Sequence, residues 1–326
     1  MMSNILTLSG CFLMSLGLVL MAMPELIEYL KKLSLKQTVS EYALADDQKK
    51  AGTPIMGGIL FIVVPVVVSL LASLLSGVNV LMDEKYLITI VAFVGYGLIG
   101  FVDDWLIAVR KNNDGLKPGQ KFGMQVVLAV LVFLLYQKSD LTVTIPFTDI
   151  SLNLGWGYAV LALFMFSGSS NAVNLTDGMD GLAAGVTLIA LVPFALLAWM
   201  RQEFNLVLLI LCLIGALLGY LHFNKKPARV FMGDTGSLAL GGILAALAMV
   251  LKEEIALILI AGIPVIETVC VLIQQISVRT FHKRVFVYTP IHYAFRIKGM
   301  MEVNIVKMFW IVEAVFATIG FFVALG

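Results

Sequence analysis

Long apolar stretches separated by short polar connections run along almost the whole chain. A helix needs roughly 20 predominantly apolar residues to cross a bilayer, and such runs lie near 3–23, 54–76, 86–106, 122–137, 156–173, 181–200, 204–222, 235–251, 255–276 and 304–325. The pattern predicts an all-α polytopic membrane protein of about ten transmembrane helices, with residues 1–326 forming a single membrane domain. No internal repeat and no separate soluble domain is visible. The first run lacks a positive segment before it and has its lysines after it, the reverse of a cleavable signal peptide. It is expected to stay as a helix with its N-terminus outside.

Departures from this pattern predict local features. Between the fourth and fifth runs, Leu141–Leu152 alternates β-forming residues around a turn, which predicts a small periplasmic hairpin. In the ninth run, Gly262-Ile263-Pro264 predicts a kink. The connection 277–303 mixes Phe281, Phe286 and Tyr288 with several cations and reads as a segment lying at the lipid interface.

Charge then orients the molecule. Numbering the connections alternately puts all 22 lysines and arginines on one side except Lys85, Lys138, Arg201 and Lys252. The positive-inside rule makes the rich side cytoplasmic, which predicts a bacterial inner-membrane protein with its working face toward the cytoplasm. A chain 60% hydrophobic and 13% charged is no ordinary soluble domain, and a net charge of +1 leaves no general basic surface for nucleic acid. Cys11, Cys212 and Cys270 sit in apolar runs without metal-ligand spacing and read as small buried hydrophobes.

The residues able to do chemistry gather on that basic side. Asp103 and Asp104 end the third run, where a pair of carboxylates beside a phosphate substrate supplies the hard-oxygen environment of Mg²⁺. Asn171, Asn174, Asp177 and Asp180 recur every three residues and share a face wherever that segment is helical. Gly178 and Gly181 let a ligand approach its backbone, although Thr176 and Asp177 also suit a helix cap. In the next cytoplasmic loop, Asp234 and Ser237 fall where a helix begins, and Phe231 offers a ring against which a base can stack. Lys50 precedes the second run, and His292 lies in Thr289-Pro290-Ile291-His292.

Together, the runs Gly52–Gly58, Asn174–Ala183, Val230–Gly242 and Thr289–His292 resemble the polyprenyl-phosphate N-acetylhexosamine-1-phosphate transferases, and within them the phospho-N-acetylmuramoyl-pentapeptide transferase branch. Phe309-Trp310-Ile311 fits the same pattern. The resemblance implies a Mg²⁺-dependent cytoplasmic site, undecaprenyl phosphate and UDP-MurNAc-pentapeptide as substrates, and lipid I and UMP as products. It implies that Asp103, Asp104, Asp234 and His292 are catalytic, with Asp234 as the metal ligand and Asp103 and Asp104 as further candidates. Lys50, Lys121, Asn174, Asp177, Gly178, Met179, Asp180, Asn224, Phe231 and Gln274 would bind substrate. A homodimer is left open.

The chain departs from that family at Ile107, where a lysine is usual, at Tyr293-Ala294, where a run of histidines continues, and at Arg296, where an acid follows. N-acetylglucosamine-1-phosphate transferases share the aspartates and form the nearest alternative. A secondary transporter is the alternative of a different class, requiring polar groups near the bilayer midplane. Glu267 and Glu313 are the carboxylates placed there, and Glu267 is expected to be a buried hydrogen-bonded group lining the site.

Overall fold

The structure is a computed structural model that describes residues 2–33, 52–75, 80–110 and 115–326. Its helices are α1 (Met2–Lys32), α2 (Gly58–Leu75), α3 (Glu84–Arg110), α4 (Pro118–Tyr136), α5 (Tyr158–Thr176), α6 (Leu182–Met200) and α7 (Phe204–Asn224). They continue with α8 (Gly233–Val250), the single turn α9 (Leu257–Ile260), α10 (Gly262–Phe281), the short α11 (Ile291–Ile297) and α12 (Glu302–Val323). Among the described residues, 10 helices are long and apolar enough to cross a membrane. Lipid offers backbone amides no hydrogen-bond partners, so each crossing segment must satisfy its own. The predicted all-α polytopic architecture is therefore the observed one.

The bundle is built around α8. Its span is 89% buried against 22% for α1, which makes it the central helix and leaves α1 at the periphery. Small residues make this possible, because without a hydrophobic force between helices close backbone approach carries the packing. Gly236 faces the start of α2, Gly241 lies against the backbone of Ser169 and Ser170 on α5, and Gly242 lies against the Tyr96 ring on α3.

The hairpin forms as expected, from strands β1 (Thr142–Thr144) and β2 (Ser151–Asn153), antiparallel with Val143 opposite Leu152. Helix α1 continues through Pro24 to Lys32, well beyond the predicted end of its apolar run. The kink predicted at 262–264 is a complete break: Ala261 has φ −110° and ψ 45°, and α10 starts afresh after it. A helix start leaves amides without intrahelical partners, and here Ile263 N–H donates to Glu313 Oε2 on α12 at 2.7 Å. Gly262 and Gly320 let α9, α10 and α12 close around that bond.

At the end of the bundle bearing the hairpin, short-range ion pairs tie the connections together. Lys85 pairs with Glu203, Arg201 with Glu253, and Lys252 with Glu254. Burial pushes the Glu253 carboxyl up to about 7, with Arg201 opposing that shift.

Candidate active site

At the opposite end, α3 finishes where α8 begins, and their meeting explains why aspartates stand there. The first amides of α8 need acceptors, and no side chain of its own N-cap residue, Met232, supplies one. Asp104 does so from the neighbouring helix. Its Oδ1 accepts from Asp234 N–H at 3.1 Å, and its Oδ2 accepts from the Thr235 amide at 2.9 Å and the Thr235 hydroxyl at 2.6 Å. A carboxylate at a helix N-terminus is also favoured by the helix dipole. Gly100 and Gly233 permit the contact, since a Cβ at Gly100 would run into the Asp234 backbone and one at Gly233 into the Asp104 carboxylate.

Asp104 is thereby 3% exposed with both oxygens committed. Asp103 is held differently. Its Oδ1 accepts from Leu116 N–H at 2.6 Å, and its carboxylate lies within hydrogen-bonding reach of Asp234. Anions so close repel unless a cation lies between them. Lys121, in the first turns of α4, is ion-paired to Asp234 Oδ2 and stands 3.8 Å from Asp103 Oδ2. Asn174 on α5 completes the cluster, donating from Nδ2 to Asp234 Oδ1 at 2.7 Å and to Ser237 Oγ at 2.9 Å. Helices α3, α4, α5 and α8 thus each contribute a polar group to one spot at the bundle end.

Beyond Thr176 the α5 helix stops, and the turn to α6 forms a second wall. Asp177 and Gly178 are half-buried in it, while Met179 is enclosed in a small apolar cluster with Leu182, Ile263 and Phe309. The Gly178 carbonyl accepts from the Tyr293 hydroxyl at 3.1 Å. His292 is fully buried beside it, with Nε2 against Gly178. Glu267 positions that ring: Oε1 lies 2.9 Å from His292 Nδ1, and Oε2 accepts from Ile291 N–H at 2.6 Å. With Nδ1 oriented by the carboxylate, the Nε2 atom is left buried against Gly178 with no hydrogen-bond partner in the protein.

Other residues singled out in the sequence hold loops in place. Asp180 Oδ2 accepts from Ala228 N–H at 3.1 Å, and its own amide donates to Glu302. Asn224 is 2% exposed and bridges Gly181 N–H, at 3.0 Å, to the Val230 carbonyl, at 2.9 Å. Phe231 is partly buried, its backbone paired with Pro54 and Gly57 of the segment preceding α2. Gln274 is spent on the loop after α10, accepting from the Val285 and Phe286 amides and donating to the Phe286 carbonyl. The every-third-residue face extends only as far as the helix, which ends at Thr176: Asn171 turns to Gln125 and Asn174 to Asp234, while Asp177 and Asp180 fall in the turn beyond. Lys50 lies outside the described residues.

Sequence reasoning passed over Thr235, Tyr293's contact with Gly178, and Glu302, which is ion-paired to Lys226. Glu302 begins α12, far along the chain from the loop it braces, and no local pattern marks it. Glu267 is buried and hydrogen-bonded as expected, to Ile291 and His292.

A bundle of membrane-crossing helices that gathers carboxylates, a lysine and amides at one end, below a buried histidine and a glycine-lined turn, is built to handle a phosphorylated ligand at a membrane surface. Residues 86–252 match the profile of glycosyl transferase family 4. The chain is 44% identical over 302 residues to the phospho-N-acetylmuramoyl-pentapeptide-transferase of Geobacillus sp. (strain WCH70), covering 92% of each. It is 43% identical over 321 residues to the proteins of that name from Bacillus thuringiensis (strain Al Hakam) and Bacillus cereus (strain AH187), covering 98% of this chain and 97% of theirs. The chain belongs to glycosyl transferase family 4, in its phospho-N-acetylmuramoyl-pentapeptide transferase branch.

Proposed function

We propose that the protein transfers phospho-N-acetylmuramoyl-pentapeptide from its UDP-activated form to undecaprenyl phosphate, giving lipid I and UMP, at the cytoplasmic face of a bacterial inner membrane. The convergence of Asp103, Lys121, Asn174 and Asp234 at one end of the bundle is the observation that carries this reading. The names of the relatives supply the donor. The transporter alternative loses its footing because Glu267 and Glu313 are both committed to helix-start amides of the protein's own backbone.

The donor set suits Mg²⁺ bound in part by substrate. Among the described residues no group of at least 3 His, Cys, Asp or Glu side chains is placed to hold a metal ion. Mg²⁺ at phosphate-transfer sites commonly takes one or two carboxylates, with phosphate oxygens and waters filling the rest. Asp234 and Asp103 present such a pair, their facing oxygens held by the Lys121 side chain, which can move, whereas the Asp104 oxygens are held by the fixed backbone amides that open α8. Held by Asp234 and Asp103, Mg²⁺ would supply charge neutralisation for the diphosphate and the departing UMP.

The protein's own work is positioning and charge neutralisation. A phosphate monoester, with second pKa about 6, is already largely dianionic at neutral pH, so the lipid phosphate oxygen attacks the sugar-linked phosphorus without needing a strong base. Asp103 orients that phosphate and takes up any remaining proton. Lys121 balances the aspartates before substrate arrives and can turn to the phosphates afterwards. His292 Nε2, held by Glu267, faces the Gly178 turn where the donor's polar groups lie. Asn174 keeps the Asp234 carboxylate fixed, so the site reorganises little during transfer.

Purified protein with undecaprenyl phosphate and Mg²⁺ is expected to release UMP from UDP-MurNAc-pentapeptide and far less from UDP-GlcNAc. Release from UDP-GlcNAc alone would move the chain to the sister branch. Asp234→Asn should cost roughly two to three orders of magnitude in rate, the equivalent of a few kcal/mol of lost transition-state stabilisation. Unchanged Mg²⁺-dependent turnover in that variant would remove Asp234 from the metal site.

A further inference from the structure

Past the end of α10, the chain turns back on itself and leaves a cavity of about 300 Å³ lined by Gln275, Arg279, Arg284, Tyr288 and Thr289. Hydrogen bonds hold the cavity in shape. Gln274 fixes the Val285 and Phe286 amides, and Ser277 Oγ donates to the Lys283 carbonyl at 2.9 Å, so the strap 283–286 is tied to the last turns of α10. No aspartate or glutamate occurs anywhere between Glu267 and Glu302. Arg279 and Arg284 accordingly face the cavity with no carboxylate paired to either among the described residues.

Its position connects it to the site. Tyr288, in the cavity wall, meets the Tyr293 ring edge-on with centroids 5.6 Å apart, and Tyr293 in turn hydrogen-bonds Gly178. The cavity therefore adjoins the turn assigned to the donor. A peptide joined through its N-terminus to a sugar's lactyl carboxyl must present at least its C-terminal carboxylate, and arginine is suited to grip carboxylates in a bidentate fork.

We propose that this cavity is the donor's peptide subsite, in which Arg279 and Arg284 receive a peptide carboxylate and thereby determine specificity for the peptide-bearing donor. The inference rests on the donor assignment made above. A solvated basic rim serving only to orient the helix would need neither the cavity nor the hydrogen-bonded strap. An anionic lipid headgroup is the competing occupant, and the test separates the two.

The experiment measures kcat/KM for UDP-MurNAc-pentapeptide and for UDP-MurNAc without peptide, in vesicles of purely zwitterionic lipid and of zwitterionic lipid doped with anionic lipid. Arg279→Ala and Arg284→Ala should each lower the ratio of the two values at least about tenfold, through KM of the pentapeptide donor, as expected when a hydrogen bond to a charged group is lost. Wild-type protein should suffer a similar loss with a donor whose peptide carboxyls are amidated, and the loss should not add to that of the variants. An unchanged ratio in both variants overturns the subsite, as does an equal loss on both donors or a loss that follows anionic lipid content whatever the donor. Silence of the wild type with both donors instead removes the donor assignment, and this inference with it.

Discussion

Adjacent aspartates at the end of α3 look equivalent in the sequence, yet the structure gives them different work. Asp104 is consumed by the start of α8, whereas Asp103 faces Lys121 and Asp234. Asp104→Asn would turn an amide group toward the Asp234 or Thr235 donors, leaving a buried N–H unsatisfied at a cost of about 1–3 kcal/mol. Its expected signature is a lower melting temperature in detergent. Asp103→Asn keeps an acceptor for Leu116 and relieves repulsion with Asp234, so it should melt at or above the wild-type temperature while losing most turnover. Equal melting temperatures for both variants would refute this division. The carboxylates were legible as residue types at a membrane boundary. Which one caps and which one faces the site was not, because that depends on the rotation of α3 against α8. Asn224 and Gln274 teach the same lesson: their amides read as ligand-binding groups, but each braces a local loop.

Among the elements, the α3–α8 contact sets the precision of the site. Gly100→Ala would push a methyl group into the Asp234 backbone, overpacking that typically costs about 1–3 kcal/mol. Because the separation would move Asp103 away from Asp234, turnover should fall more than stability. A variant with normal kcat and only reduced melting temperature would count against that coupling. Helix existence was plain from apolar run length, and the hairpin from its alternation. Helix ends were harder. The three-residue recurrence through Asp180 suggested a shared face, but Gly181, at φ +81°, ends the turn and sends Asp180 toward Ala228 and Glu302. The glycines were visible; their consequence for side-chain direction depended on α12 packing against the turn.

For the molecule as a whole, polar groups segregate to the bundle ends, and sidedness can be checked directly. In a variant lacking native cysteines, single cysteines at Lys225 and Lys283 should react with an impermeant reagent from the cytoplasmic side, and cysteines at Met82 and Asp149 from the other. Labelling of Lys225 and Asp149 positions from the same side would break the topology. The end bearing the hairpin carries a pH signature. Glu253 titrates at about 7 when folded against an ordinary 4.5, so the folded state holds the extra proton between those values. Stability from this group is present below about 4.5 and lost as pH rises through about 7. Replacing Glu253 with Gln should flatten that part of the melting-temperature profile.

The bond from Glu313 to the Ile263 amide also imposes an order on assembly. The break at Ala261 exposes amides that hydrocarbon cannot satisfy, and the acceptor arrives 50 residues later in synthesis, on α12. Until α12 inserts, α10 has no settled start, and Glu267 and the histidine it orients have no fixed axis. The end of the bundle that carries the aspartates should therefore mature only after α12 has been made and inserted. Chains cut before Glu302 should enter the membrane yet be cleaved readily by protease within 277–301.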